Sequence, residues 1–171
     1  MGNPMTVHRI REIRSKIDPD IFFLMETKND DEYVTNKFNG LGYGHSFLFS
    51  PQGHGGGGLA LFWKQEVTLV VNLSCENFID ACVTTKGKTF FATFVYGEPD
   101  QGKRKEVWSK LRSLSEARDG PWFLAGDFND IVDNSEKSGG PIRAEGTFVD
   151  FRSFLSECDL YDIKHSGSFF S

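Results

Sequence analysis

Cysteine is scarce in this chain: Cys75, Cys82 and Cys158 are the only three among 171 residues. They lack Cys-x-x-Cys spacing and leave an odd count. That argues against a disulfide framework and for buried, reduced thiols with no disulfide partner. No apolar run approaches the roughly 20 residues that cross a bilayer, and the N-terminus has no signal-peptide core. The chain therefore reads as intracellular, nuclear or cytoplasmic, with no membrane partner. Positive charge is also short, 19 Lys and Arg against 24 Asp and Glu, for a net charge of -5. This excludes a global basic field of the kind that drives non-specific nucleic-acid binding. It leaves open a phosphodiester substrate approached with metal ions and a local basic rim. A P-loop is missing too, because the glycine-rich stretch Gly53–Gly58 is followed by Leu59-Trp63, read as a strand, and by no Gly-Lys-Ser/Thr. That stretch reads as a hairpin connection, and His54 within it is too isolated to be a metal ligand.

What the chain does have is apolar and aromatic weight: 39% hydrophobic residues and 17 Phe. One domain over residues 1–171 is the natural expectation, long enough to bury a sizeable core. Thr6 is placed to cap a helix running to about Lys16, with Val7, Ile10, Ile13 and Ile17 as its apolar stripe. Its Arg9, Arg11, Arg14 and Lys16 form a basic face, suited to a nucleic-acid backbone or simply to water. After Asp18-Pro19-Asp20, the continuous run Ile21–Met25 predicts a buried strand, and Asp30-Asp31-Glu32 open a short helix to Phe38. Strands are expected over Gly42–Phe49, Leu59–Trp63, Val67–Leu73, Phe78–Thr84 and Thr89–Val95, the last two joined by a Lys86-Gly87-Lys88 turn. A helix over Gln101–Leu114, a strand over Trp122–Ala125, a helix over Thr147–Cys158 and a short strand near Leu160–Ile163 complete the expected order.

Polar residues stand where buried strands should end. Glu26 follows Met25 and suits a hard-metal ligand, though it is equally an ordinary charge at a strand mouth. Tyr96 ends another strand and can hydrogen-bond a phosphate or lie half-buried with its hydroxyl in water. Gly126-Asp127-Phe128-Asn129 follows a third. From an extended chain Asp127 and Asn129 point the same way, where Asp127 could orient a nucleophilic water and Asn129 donate to a phosphate oxygen. Both are also common turn residues.

This ordered set resembles the endonuclease/exonuclease/phosphatase family, and within it the endonuclease domain of plant LINE-type (non-LTR) retrotransposons. Asn3-Pro4, Arg11-Glu12-Ile13, Phe23-Leu24-Met25-Glu26-Thr27, Gly58–Trp63, Phe94-Val95-Tyr96-Gly97, Gly126–Asn129 and Glu136–Gly140 carry the likeness over nearly the whole chain. The resemblance implies a four-layer α/β sandwich of the DNase I-like type: two mixed sheets face to face with helices outside. It implies Mg²⁺, or Mn²⁺ in its place, with DNA as partner. It makes Glu26 the metal-binding residue, Tyr96 the phosphate contact, Asp127 the residue that positions or deprotonates water, and Asn129 its orienting partner. Family members also have a first strand ending in Trp-Asn-x-x-Gly and a terminal Ser-Asp-His, neither of which this sequence contains; Asp162 and His165 do not stand in the right context to replace the latter. The expectation is thus a partial domain with uncovered sheet edges, one that does not nick DNA appreciably by itself. A catalytically dead remnant that binds nucleic acid or a partner, and a phosphatase of small molecules, are the competing readings. The oligomeric state has no signature in the sequence.

Overall fold

The structure, a computed structural model, describes residues 4–51 and 57–163. Most of the glycine-rich connection, with His54, and the last residues, with His165, lie outside that range. The described residues form a mixed α/β fold with two sheets. They group into two compact units: one made of the chain through Tyr96 together with Gly120–Gly126, the other of Gly97–Asp119 together with the chain from Asp127 onward.

In the first unit, β1 (Ile21–Met25) and β2 (His45–Phe49) flank β3 (Leu59–Trp63), both antiparallel to it. All five residues of β3 are buried, because its two faces serve two cores. Leu59, Leu61 and Trp63 meet Leu69, Ile79, Ala81, Val83, Ala92 and Phe94 of the second sheet. Ala60 and Phe62 on the opposite face join Ile10 of α1 (Pro4–Ile17) and Val34 and Phe38 of α2 (Asp31–Phe38). The period-two alternation of a strand thus sorts one apolar run between two layers. Asp30 caps α2, its carboxylate accepting the Tyr33 N–H at 2.7 Å.

The second sheet has the order β4 (Thr68–Cys75), β5 (Phe78–Thr85), β6 (Lys88–Tyr96), β7 (Trp122–Asp127). The hairpin between β5 and β6 turns on Lys86 and Gly87, both at positive φ, the geometry that matches the twist of paired strands. β6 and β7 run parallel: the bonds from Phe91 N–H to Pro121 O and from Gly97 N–H to Asp127 O advance together along both strands. β1 and β7 are outermost in their sheets. Between them lies an apolar hollow of about 440 Å³ lined by Phe23, Met25, Phe90, Phe94 and Phe123, the last 40% exposed.

The second unit carries α3 (Arg104–Glu116) and α4 (Val149–Glu157), which pack through Trp108, Leu111, Phe151 and Phe154. The 3₁₀ turn Glu145–Phe148 leads into α4, and Phe148, Phe151 and Phe154 form its buried stripe. The strand expected near Leu160–Ile163 does not form. Asp159 adopts φ 52° and the Leu160 N–H returns to Leu155 O, closing the helix in a left-handed cap. Tyr161 and Ile163 beyond it are 84% and 64% exposed. Among the described residues no helix is long and apolar enough to cross a membrane. The three cysteines are free and half-buried, less enclosed than their composition suggested.

Candidate active site

β1 ends at Met25, and the chain reverses at once through two left-handed residues, Glu26 (φ 52°) and Lys28 (φ 52°). Such backbone is uncommon outside glycine and persists where surrounding contacts enforce it. Here the N–H groups of Thr27 and Lys28 bond to Gly58 O and Gly57 O, and Asn29 Nδ2 donates to Thr27 O at 2.6 Å. Gly58 must be glycine: its φ is +83°, and a Cβ there would stand 2.4 Å from the Thr27 hydroxyl.

Both oxygens of the Glu26 carboxylate are engaged. The Tyr96 hydroxyl donates to Oε1 at 2.6 Å, and the Lys28 ammonium lies 3.2 Å from Oε2. Tyr96 is itself anchored through its backbone, its N–H donating to Asn77 O at 2.7 Å and its carbonyl accepting from Asn77 Nδ2 at 3.3 Å. The buried Asn77 and the half-exposed Lys28 had no signature in the sequence. Asn77 sits in the short β4–β5 turn, and Lys28 depends on a left-handed backbone that no local pattern announces. Two strand ends far apart in sequence, Glu26 and Tyr96, are thus brought into direct contact.

The Tyr96 hydrogen bond, and after it the one from Lys28, hold the Glu26 carboxyl below the usual glutamate range. Its folded-state pKa is depressed, so the bond's stabilisation is present above the ordinary carboxylate range and is lost as pH falls through the lowered value. Carboxyl NMR titration should place the Glu26 midpoint below that of a free glutamate. Tyr96→Phe should move it upward; an unmoved midpoint would show that Tyr96 is not the main cause.

In the second unit, Asp127 closes β7 with an exposed carboxylate. Its Oδ1 accepts the backbone N–H of Asn129 at 2.8 Å, and Asn129 is again left-handed, φ 52°. The Asn129 side chain donates to Gly97 O at 2.7 Å, while the Gly97 N–H donates to Asp127 O at 2.7 Å. Gly97 is obligatory, since a Cβ there would lie 1.9 Å from Phe128 O. Asp127 and Asn129 therefore form one closed turn. An Asn129 N–H orients the carboxylate, while its amide is used on the backbone.

The family model of the endonuclease/exonuclease/phosphatase family matches residues 2–165. The chain belongs to that family. The fold agrees. An AP endonuclease from Archaeoglobus fulgidus superposes with a TM-score of 0.68 at 16% identity, covering 88% of this chain and 65% of that one. The endonuclease domain of TRAS1, a telomere-specific non-LTR retrotransposon, gives 0.65 at 15% identity, covering 91% and 66%. A 3'-5' exonuclease from Neisseria meningitidis gives 0.64 at 18% identity, covering 90% and 67%. No curated protein matches the chain. The chain spans about two thirds of the length of these solved relatives, and the family's two-sheet, DNase I-like architecture is the one it adopts.

Proposed function

We propose that this chain contributes the catalytic residues of a divalent-metal-dependent phosphodiester hydrolase that nicks DNA, of the retroelement endonuclease type. Asp127 carries the reading: an exposed carboxylate at the end of a strand, held in one orientation by the N–H of a left-handed Asn129. In that position it can accept a proton from an attacking water and fix the line of attack. Asn129 holds Asp127 and braces the turn on Gly97. Tyr96 offers a phenolic donor to a phosphate oxygen, and Glu26 offers hard carboxylate oxygens.

The donor set suits Mg²⁺ or Mn²⁺. Among the described residues no group of three or more His, Cys, Asp and Glu could enclose a metal, but Mg²⁺ is commonly held by one or two carboxylates with waters and substrate phosphates completing the shell. Glu26 fits as one such carboxylate. When bound, the cation would neutralise phosphate charge and stabilise the leaving oxygen. DNA as substrate is favoured by the sequence blocks shared with plant LINE-type endonucleases and by the DNA-acting relatives, and it would be met in the nucleus or cytoplasm.

Supercoiled plasmid with the 171-residue chain, and with a longer chain supplying the length the relatives have beyond it, tests this. The longer chain should nick in Mg²⁺ and stop in EDTA, while the shorter should leave the plasmid almost intact. Retention of DNA without nicking by either would instead support an inactive, nucleic-acid-binding relative.

A further inference from the structure

The residue after Asn129 is a second carboxylate, and a buried one. The Asp130 side chain is 4% exposed and its Oδ1 lies 2.9 Å from Arg143 Nη2 and 3.4 Å from Arg104 Nη1. The same oxygen accepts the Ile131 N–H at 3.0 Å. Each arginine is tied elsewhere in the second unit. Arg104 donates from Nε to Glu98 O at 2.9 Å and from Nη2 to Pro99 O at 3.1 Å. Arg143 donates from Nε to Thr147 Oγ1 and from Nη2 to Thr147 O. Its guanidinium lies over the Phe148 ring, 4.9 Å from the centroid. Its backbone N–H and carbonyl are held by the Asn134 side chain at 2.9 and 3.0 Å. Asp130 is therefore the point where three segments meet: residues 97–99, which receive the Asn129 amide; the loop 127–134; and the lead into α4.

We propose that Asp130 is a positioning residue, acting through Asn129 on the aim of Asp127; this rests on the hydrolytic reading above. Asparagine tolerates left-handed backbone better than most residues, so what its neighbours must fix is less the φ itself than the direction in which the turn presents Asp127. Buried ion pairs are a weak source of stability compared with apolar packing, because desolvation offsets their attraction. What Asp130 with two guanidiniums supplies is fixed geometry. It binds the turn at the residue next to Asn129, while Gly97, the acceptor of the Asn129 side chain, is held from the other side through Glu98 and Arg104.

The test uses Asp130→Asn in the longer chain, with three measurements: thermal unfolding, kcat and KM for metal-dependent plasmid nicking, and hydrogen exchange at the Asn129 amide. Glu157→Gln is the control, since it weakens the Arg112–Glu157 pair linking α3 and α4 and is a purely structural change. Asp130→Asn should lower kcat at least tenfold with KM nearly unchanged, and should speed Asn129 exchange at least tenfold. The control should change unfolding but neither kcat nor that exchange rate. If Asp130→Asn does not fold, Arg143→Lys, which keeps the charge but loses the fork, must show the same kcat loss and faster exchange. Unchanged Asn129 exchange in the folded variant overturns the positioning role. A longer chain without activity overturns the hydrolytic reading, and exchange at Asn129 then decides the clamp by itself.

Discussion

Asp127→Ala in the longer chain should abolish metal-dependent nicking while leaving the fold intact. A positioned general base typically contributes roughly 10²–10⁴-fold to rate, and the loss should appear in kcat. The Asp127 carboxylate is exposed and accepts the neighbouring Asn129 N–H, so its removal should cost little stability. Asn129→Gly is an informative companion. Glycine meets φ 52° without strain but lacks the amide that reaches Gly97, so the backbone survives while the brace is lost. Its activity should fall between those of the unvaried chain and Asp127→Ala. Plasmid nicking with circular dichroism on the same samples separates loss of chemistry from loss of fold, and an Asp127→Ala chain that nicks at the unvaried rate would remove Asp127 from the mechanism.

The largest stability effect should come from Trp108. It is fully buried in the second unit, 5.0 Å from Phe151, 5.3 Å from Phe154 and 6.3 Å from Phe128 between ring centroids. Truncating such a residue leaves a cavity that its neighbours fill only in part, so Trp108→Ala should cost about 3–5 kcal/mol. Its indole N–H is buried with no hydrogen-bond partner among the described residues. Trp108→Phe should therefore be much milder, because the smaller ring keeps the aromatic contacts and removes an unsatisfied donor. Thermal unfolding checks the pair: a drop of about 6–20 °C for Ala against a few degrees for Phe. Equal losses would show that the indole's full volume, not its aromatic stacking, holds the cluster.

The parts of the fold most legible in the sequence are its continuous apolar runs, although only β3 is buried on both faces; β1, at a sheet edge, buries Phe22 and leaves its other four residues half-buried. Ile21–Met25 and Leu59–Trp63 are uninterrupted apolar runs, and both strands have the bounds that the runs suggest. β2 is shorter than expected, beginning at His45, because Gly42 turns at φ 85° before the strand starts. Leu160–Ile163 has strand composition but follows a left-handed cap and pairs with nothing among the described residues, so composition alone misled. Among the candidate residues, Glu26 and Tyr96 in the first unit and Asp127 and Asn129 in the second could be singled out because each stands at or just beyond the end of an apolar run. Lys28, Asn77 and Asp130 could not. Their parts depend on positive φ, on a buried turn, or on arginines 26 and 13 residues away in the chain, by count from Asp130 to Arg104 and to Arg143.

The left-handed residues Glu26, Lys28 and Asn129 also have a meaning for sequence drift. Each departs from the residue the backbone would most easily accept, at a cost on the order of 1 kcal/mol for Glu26 and Lys28 and less for Asn129, since asparagine visits this region more readily. Under relaxed selection, glycine at any of the three would be tolerated or even stabilising. Related copies that keep Glu, Lys and Asn there would bear the mark of a purifying constraint on chemistry, whereas copies drifting to glycine at these positions, with β1 and β3 unchanged, would be folded relics.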